Sequence, residues 1–293
     1  ALFVHLQGEK GRLQSYISNK NINMDEDSYK VLINNIDIGD IVGIEGEMFY
    51  TKTNEYTIRS LGFSLLSKSI RPLPNLKEKE GEVFNAFEDK ELRYRNRHLD
   101  FIVNPEKKNI FIKRHKIIHA FRSFLNEMNF IEAETPVLQP IYGGANARPF
   151  TTHHHTLDEK LYLRIAVELY LKRLIIGGFN KVYELSKNFR NEGMDRNHNP
   201  EFTMLEFYQS YSDVYDMMDL TERMIQEVGK TMSANEISFD GNNIDLKSKF
   251  KRVSLGKLFD EEFGGENILL NEDKIKMIAK DLNINLDYSY GKL

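Results

Sequence analysis

KVYELSKNFR at residues 181–190 and FTMLEFY at residues 202–208, with the polar run Asn191 to Glu201 between them, decide how this chain is read. The pattern predicts two strands joined by a long loop. Side chains alternate along a strand. In the return strand Phe202, Met204, Glu206 and Tyr208 therefore share one face, and Thr203, Leu205 and Phe207 share the other. The second face reads as core. The first brings together an aromatic ring, a carboxylate and a phenol. Arg190 ends the opposing strand, and Glu192 and His198 occupy the loop.

This set suits a nucleotide plus an amine. Arg190 offers a planar fork of donors that matches phosphate or carboxylate oxygens. Phe202 offers a flat surface for a purine, and Glu206 a negative charge for an ammonium group. A solvated hairpin whose Arg and Glu pair with each other has the same pattern, and most charged strand residues are simply exposed. Upstream, Glu168-Leu-Tyr-Leu-Lys-Arg173 opens a helix, where Glu168 and Lys172 have the spacing of an ordinary helical ion pair. The loop Gly143-Gly144-Ala-Asn-Ala-Arg148-Pro lets the backbone approach a ligand, or merely turns. His153, His154 and His155 invite a metal reading, but neighbours on a strand point in different directions and no cysteine supports them. There is no P-loop, no dinucleotide glycine fingerprint and no G-x-S-x-G elbow.

Further out, residues 1 to about 68 read as short strands. FVHLQ from Phe3 and GRLQSYI from Gly11 form a strand, a turn and a strand. The acidic stretch at Asp25 leads into a short helix, and Lys52-Thr53-Asn54 turns a hairpin. Short glycine-bearing strands with one helix suit a small barrel such as an OB-fold. Arg71-Pro-Leu-Pro marks a boundary, and residues 75–98 read as a charged linker. Asn104-Pro105 looks like an N-cap and first helical position. Apolar residues from Ile110 to Met128 follow at helical spacing, Asn129 closes the helix, and Phe130 to Thr135 forms a strand. Asp213 caps a helix that ends at Gly229.

Composition sets the outer limits. The chain has 293 residues, enough for about two domains. It is 41% apolar, 29% charged and carries a net charge of −4, so RNA binding needs local patches. Cysteine is absent, which removes disulfides and thiolate chemistry and fits an intracellular, cytoplasmic protein. No run of about 18 apolar residues predicts a membrane span. The chain opens inside a strand on Ala1, so its natural start is expected upstream.

Together these segments resemble class II aminoacyl-tRNA synthetases of subclass IIb, specifically the lysyl branch. The family's motif 1 looks like the helix ending near Met128 plus Phe130 to Leu138. Its motif 2 looks like Phe189 to Gly193 and His198 to Tyr208. The stretches from Gly143 to His154 and from Tyr162 to Arg173 look lysyl-specific. One departure is Val167, where the family has Pro, so a slightly altered turn is expected.

The resemblance implies an α+β multidomain protein. An OB-fold anticodon-binding domain occupies residues 1–70 and a linker residues 71–103. An incomplete class II catalytic domain, an antiparallel sheet flanked by helices, occupies residues 104–293. It further implies lysine activation with ATP, transfer to tRNA(Lys), and a homodimer through the motif 1 region with Pro136 near the interface. Arg190 would grip the α-phosphate and the lysine carboxylate. Glu192, His198, Asn199 and Phe202 would hold ATP. Gly144, Glu168, Glu206 and Tyr208 would hold lysine, while Phe3, Gln14 and Glu55 would read the anticodon. Motif 3 and the acidic segment that holds Mg²⁺ are expected beyond Leu293, so no metal ligand is expected within the chain and this stretch alone is expected to be inactive. An aspartyl or asparaginyl enzyme of the same class would need a cation for its substrate side chain, where Glu206 and Tyr208 suit a cationic one. A related enzyme that lysylates a translation factor lacks the OB-fold. A non-catalytic RNA-binding descendant has no reason to keep the Arg190, Glu192, Phe202 and Glu206 set.

Overall fold

The computed structural model describes residues 1–9, 11–74, 76–79, 82–85, 87 and 89–284. The chain divides into two compact units, Ala1–Ile112 and Lys113–Leu293.

In the first unit β1 (Leu2–Gly8), β2 (Gly11–Ile17), β3 (Ile41–Tyr50) and β4 (Tyr56–Ser67) form one sheet in the order β1-β2-β4-β3. Burial alternates along β1: Leu2, Val4 and Leu6 face inward while Phe3, His5 and Gln7 are exposed. β2 pairs with β4 in parallel, and the other neighbours are antiparallel. The expected hairpin turn is present, with Asn54 in the left-handed conformation at φ 63°. β3 is bulged at Glu45/Gly46, and a Cβ on Gly46 would sit 2.1 Å from the Arg59 carbonyl oxygen, so only glycine fits. Helix α1 (Glu26–Asn35) starts where Asp25 accepts hydrogen bonds from the backbone of Asp27 and Ser28. It docks through Tyr29, whose hydroxyl donates to the Ile17 carbonyl at 3.1 Å. Among the described residues no sheet closes into a barrel: β1 and β3 are both edges.

β5 (Leu76–Lys79) and β6 (Glu82–Asn85) form an antiparallel pair, followed by α2 (Lys90–Arg95) and α3 (Arg97–Val103). Asp100, fully buried, accepts hydrogen bonds from Arg93, Arg97 and Asn104. Burial alone would raise its pKa, but these donors outweigh burial and hold it below the usual carboxylate range. Asn104 therefore caps nothing with its side chain. Pro105–Lys107 is a 3₁₀ turn, and the long helix α4 runs from Lys108 to Glu127.

In the second unit Asn129 takes the left-handed conformation (φ 62°) that ends α4, as its sequence position suggests. The strand expected over Phe130 to Thr135 is only β7 (Ile131–Glu132). It pairs in parallel with β11 (Lys181–Phe189), so the sheet is mixed and not wholly antiparallel. β11 pairs antiparallel with β12 (Glu201–Gln209), giving the order β12-β11-β7. A second sheet contains β8 (Leu138–Gln139), β9 (Thr151–His154) and β10 (Glu159–Leu163). Helix α5 (Glu168–Ile176) precedes β11. Val167 stands before it, buried, at φ −101° and ψ −5°. Helix α6 (Val214–Thr231) opens on a capping box made by Asp213 and Asp216 and runs two residues past the expected stop at Gly229. The hairpin β13–β14 (Glu236–Phe239, Asn242–Asp245) and helices α7 (Leu255–Phe263) and α8 (Glu272–Asp281) follow. Among the described residues no helix is long and apolar enough to cross a membrane.

One face of the main sheet is core, as the alternation predicts. Leu205 and Phe207 pack with Phe124, Leu125, Phe130, Tyr183, Leu220 and Met224. The opposite face is fixed by a buried ion pair, Arg164 with Glu184 at 2.6 Å. Glu184 also accepts from the Thr135 backbone and hydroxyl, and Arg164 donates to the carbonyls of Thr135 and Lys187. Truncating one member strands the other in the interior. Glu184→Ala should cost about 3–5 kcal/mol of unfolding free energy, read as a lower urea midpoint. A loss below about 1 kcal/mol, the worth of an exposed pair, would show that the pair is not sealed from water.

Candidate functional site

The register of β11 and β12 places the functional side chains. Val182 lies opposite Tyr208, Glu184 opposite Glu206, Ser186 opposite Met204 and Asn188 opposite Phe202. Directly paired residues project to the same side. One face thus runs from Arg190 and Phe202 at one end to Glu206 and Tyr208 at the other.

At the first end the Arg190 guanidinium lies 5.1 Å from the centre of the Phe202 ring. Its backbone N–H is anchored on the Pro200 carbonyl at 2.8 Å, which closes the base of the loop. The glycine-bearing loop is tied to the same place: the Asn191 N–H donates to the Arg148 carbonyl at 2.7 Å, and the Arg148 N–H donates to the Glu192 carboxylate at 3.3 Å. An open cleft of about 570 Å³ lies there, lined by Tyr142, Asn146, Arg148, Pro149, Asn191 and Glu192 among others. His198 is exposed and folded onto Asp195, with Nδ1 2.8 Å from a carboxylate oxygen. Asn197 and His198 backbone N–H groups bond the same carboxylate, and the Asn197 bond leads in holding Asp195 below the usual range. Asn199 is exposed in the same loop.

At the other end the charges are unequal. Glu184 is neutralised by Arg164, whereas Glu206, directly across from it, has no cation at ion-pair distance among the described residues. Its partner is the Tyr208 hydroxyl, which donates to it at 2.8 Å. Burial first, then Glu206 and the charge of Glu168, push the Tyr208 pKa well above the ordinary phenol value, so the donor stays protonated. Glu168 does pair with Lys172, at 2.5 Å, as helical spacing allows, and the Lys172 ammonium lies 5.8 Å from the centre of the Tyr208 ring. Gly144 meets Glu168 from the loop side. Its φ is 86°, and an added Cβ would stand 3.0 Å from the Glu168 Cβ. Gly144, Glu168 and Tyr208 are thus brought to the Glu206 end by three separate segments.

The other candidate residues lie in the first unit. Phe3 is half exposed and meets Tyr16 at a tilt of 48°, ring centres 5.0 Å apart. Gln14 donates to Glu55 at 2.8 Å and accepts from Thr57 at 3.0 Å, and His5 stands 3.6 Å from Glu55. Tyr16 meets Phe49 edge-on, and Arg59 covers Phe49 at 4.8 Å. Strand pairing places Phe3, His5, Gln14, Tyr16, Phe49 and Arg59 on one face. His5, Tyr16, Phe49 and Arg59 were not singled out from the sequence, because only the sheet order brings them beside Phe3.

Sequence reasoning also missed Arg164, Ser186 and Asn188. The alternation of β11 held the signal for the last two. His153, His154 and His155 spread along β9 and its turn, with His153 3.1 Å from Asp158. Among the described residues no three His, Asp or Glu side chains are grouped to hold a metal ion.

Known proteins give this geometry a context. The sequence profile of class II tRNA synthetases (D, K and N) matches residues 89–284. The chain is 46% identical over 296 residues to a lysine–tRNA ligase of Porphyromonas gingivalis, covering 100% of the chain and 51% of that protein. It is 47% identical over 300 residues to one of Christiangramia forsetii, covering 100% of the chain and 52% of that protein. With one of Azobacteroides pseudotrichonymphae the identity is 46% over 297 residues, covering 99% and 59%. The chain spans about half the length of the curated relatives it matches.

Proposed function

The chain belongs to the class II tRNA synthetases of the D, K and N group, and from that premise we propose that it is part of a cytoplasmic lysine–tRNA ligase. Residues 1–70, whose described strands form one sheet with β1 and β3 at its edges, are the OB-fold anticodon-binding domain of this proposal. Residues 71–103 link it to a catalytic domain from residue 104 onward. The observation that carries the choice of lysine is Glu206: a half-buried carboxylate with a phenol donor and no countercharge in ion-pair range. Such a group attracts an ammonium ion, and its neighbour Glu168 already holds the ammonium of Lys172.

In this reading the lysine carboxylate attacks the α-phosphorus of ATP. A carboxylate–phosphorus bond forms, the bond to the β-phosphate oxygen breaks, and pyrophosphate leaves. The ribose hydroxyl of the tRNA 3′ end then takes the lysyl group and AMP leaves. No side chain acts as nucleophile, so positioning and charge neutralisation carry the catalysis. Arg190 neutralises the α-phosphate and the attacking carboxylate, and Phe202 stacks on adenine. Glu192 accepts from its amino group, and His198 and Asn199 flank the nucleotide. Gly144 and Glu168 hold the α-amino group, while Glu206 and Tyr208 hold the ε-ammonium. Mg²⁺ supplies charge neutralisation on the ATP phosphates when bound. The described residues offer no grouped set of ligands for it.

The first unit supplies the RNA contact. Phe3 provides a stacking surface, and the Gln14–Glu55 pair provides hydrogen-bonding edges for unstacked bases. A second copy of the chain covers the motif 1 region as a homodimer. Ile131, Val137 and Leu138 stay 40–52% exposed there, and Ile141 79%.

Three measurements on the protein that carries this chain test the reading. Glu206→Gln should cut lysine-dependent ATP–pyrophosphate exchange by at least about tenfold, the loss of a charge-assisted hydrogen bond, with ATP affinity unchanged; undiminished lysine dependence removes Glu206 from the pocket. Phe3→Ala should cost about 1–3 kcal/mol of tRNA affinity and leave amino-acid activation intact. Equal losses on normal and anticodon-altered tRNA would show the contact to be unspecific. Light scattering across dilution should find a dimer, and an active monomer at micromolar concentration would end that part of the proposal.

A further inference from the structure

On the ligand-facing side of β11 a row of polar atoms lacks partners among the described residues. They are Ser186 Oγ, both amide atoms of Asn188 and Arg190 Nε, all buried. Asn188 has no exposed surface. Native interiors satisfy nearly all such atoms, because each one left open costs its full desolvation. Here the unpartnered atoms occupy alternate positions along one strand, opposite Met204 and Phe202 and just beyond. That is the stretch between the aromatic ring at one end of the site and the open carboxylate of Glu206 at the other. The atoms also complement one another. Arg190 Nε–H and Asn188 Nδ2–H are donors, and Asn188 Oδ1 and Ser186 Oγ are acceptors. Same-face neighbours on a strand stand about 6.6–7 Å apart, a gap that an Arg side chain and an amide together bridge.

We infer that Asn188 is a positioning residue for Arg190, with Ser186 supporting it, and that the row closes into a relay when an anion is bound. In this structure the guanidinium lies over the Phe202 ring, and Nε has no acceptor among the described residues. A phosphate or carboxylate that engages the two terminal nitrogens lifts the guanidinium off the ring. Nε–H then donates to Asn188 Oδ1, and Asn188 Nδ2–H donates to Ser186 Oγ. The relay fixes the plane of the guanidinium fork and satisfies the buried atoms only in the liganded state. It favours the bound form by the difference. The inference rests on the assignment of Arg190 to the nucleotide phosphate.

The test separates positioning from ordinary structure by the direction of the stability change. Asn188→Leu keeps the volume and removes the amide. In the unliganded protein the thermal midpoint should rise, because an unsatisfied buried group is gone. ATP affinity measured by calorimetry should fall about ten- to a hundredfold, the worth of a hydrogen bond to a charged group. Asn188→Asp keeps the acceptor oxygen and should retain most of the affinity. If Asn188→Leu does not fold, Ser186→Ala gives the same pattern with a smaller loss. In an Arg190→Lys background, which lacks Nε–H, the Asn188 substitutions should have no further effect on ATP affinity. Unchanged affinity, a midpoint that falls with it, or losses that simply add would overturn the inference. A wild type that binds ATP yet ignores lysine would instead sink the ligase reading and leave this comparison intact.

Discussion

Arg164 and Glu184 meet in the interior with almost no exposed surface, and the geometry of the site is built on that contact. The two residues gather three separate pieces of chain. Glu184 holds the Thr135 backbone and hydroxyl, while Arg164 holds the carbonyls of Thr135 and Lys187. The segment after β7, the segment before α5 and strand β11 are thereby locked in one arrangement. Two charges in the interior are tolerated because the carboxylate and most guanidinium donors have partners. Helix α5 begins four residues after Arg164, at Glu168, so the anchored segment leads directly into it.

The same contact creates the electrostatic contrast across the hairpin. Two glutamates face each other in register, Glu184 and Glu206. Two like charges at directly opposed positions destabilise a sheet. Arg164 removes the conflict at one of them and leaves the other with only a phenol donor. The remaining carboxylate stays half-buried on that face, with Tyr208 donating to it and Glu168 close to Tyr208. A hairpin whose charges all cancelled would be more stable and would have nothing to offer an ammonium ion. On the same face Ser186, Asn188 and Arg190 carry buried polar atoms without partners among the described residues.

The first unit spends its surface differently. Clean alternation along β1 turns Leu2, Val4 and Leu6 inward, half-buried, and leaves Phe3 and His5 outside. Exposed aromatic rings would be a liability on an ordinary sheet. Here Phe3, Tyr16 and Phe49 meet in tilted and edge-on contacts and Arg59 covers Phe49, beside a hydrogen-bonded Gln14–Glu55 pair. That combination of flat rings and polar edges is what single-stranded bases require.

Much of this was legible in the residues themselves, and for local reasons. Alternation assigned Leu205 and Phe207 to the core and Phe202, Glu206 and Tyr208 to one open face, because side-chain direction on a strand depends only on parity. Asp25 and Asp213 marked helix starts, Lys52-Thr53-Asn54 marked a hairpin turn and Asn129 a left-handed helix end, because caps and turns are settled within a few residues. What stayed hidden depends on pairing between distant segments. Nothing near Glu184 announces Arg164 as its partner, and nothing near Ile131 shows that its strand is two residues long and parallel to β11. Sheet order alone puts Tyr16, Phe49 and Arg59 beside Phe3, and register alone puts Asn188 under Phe202. The sequence by itself determined which residues could carry charge, ring or hydrogen bond and which way each would point. Tertiary structure decided which of those charges would be cancelled, because neutralisation requires a contact across chain separations that no local rule reaches.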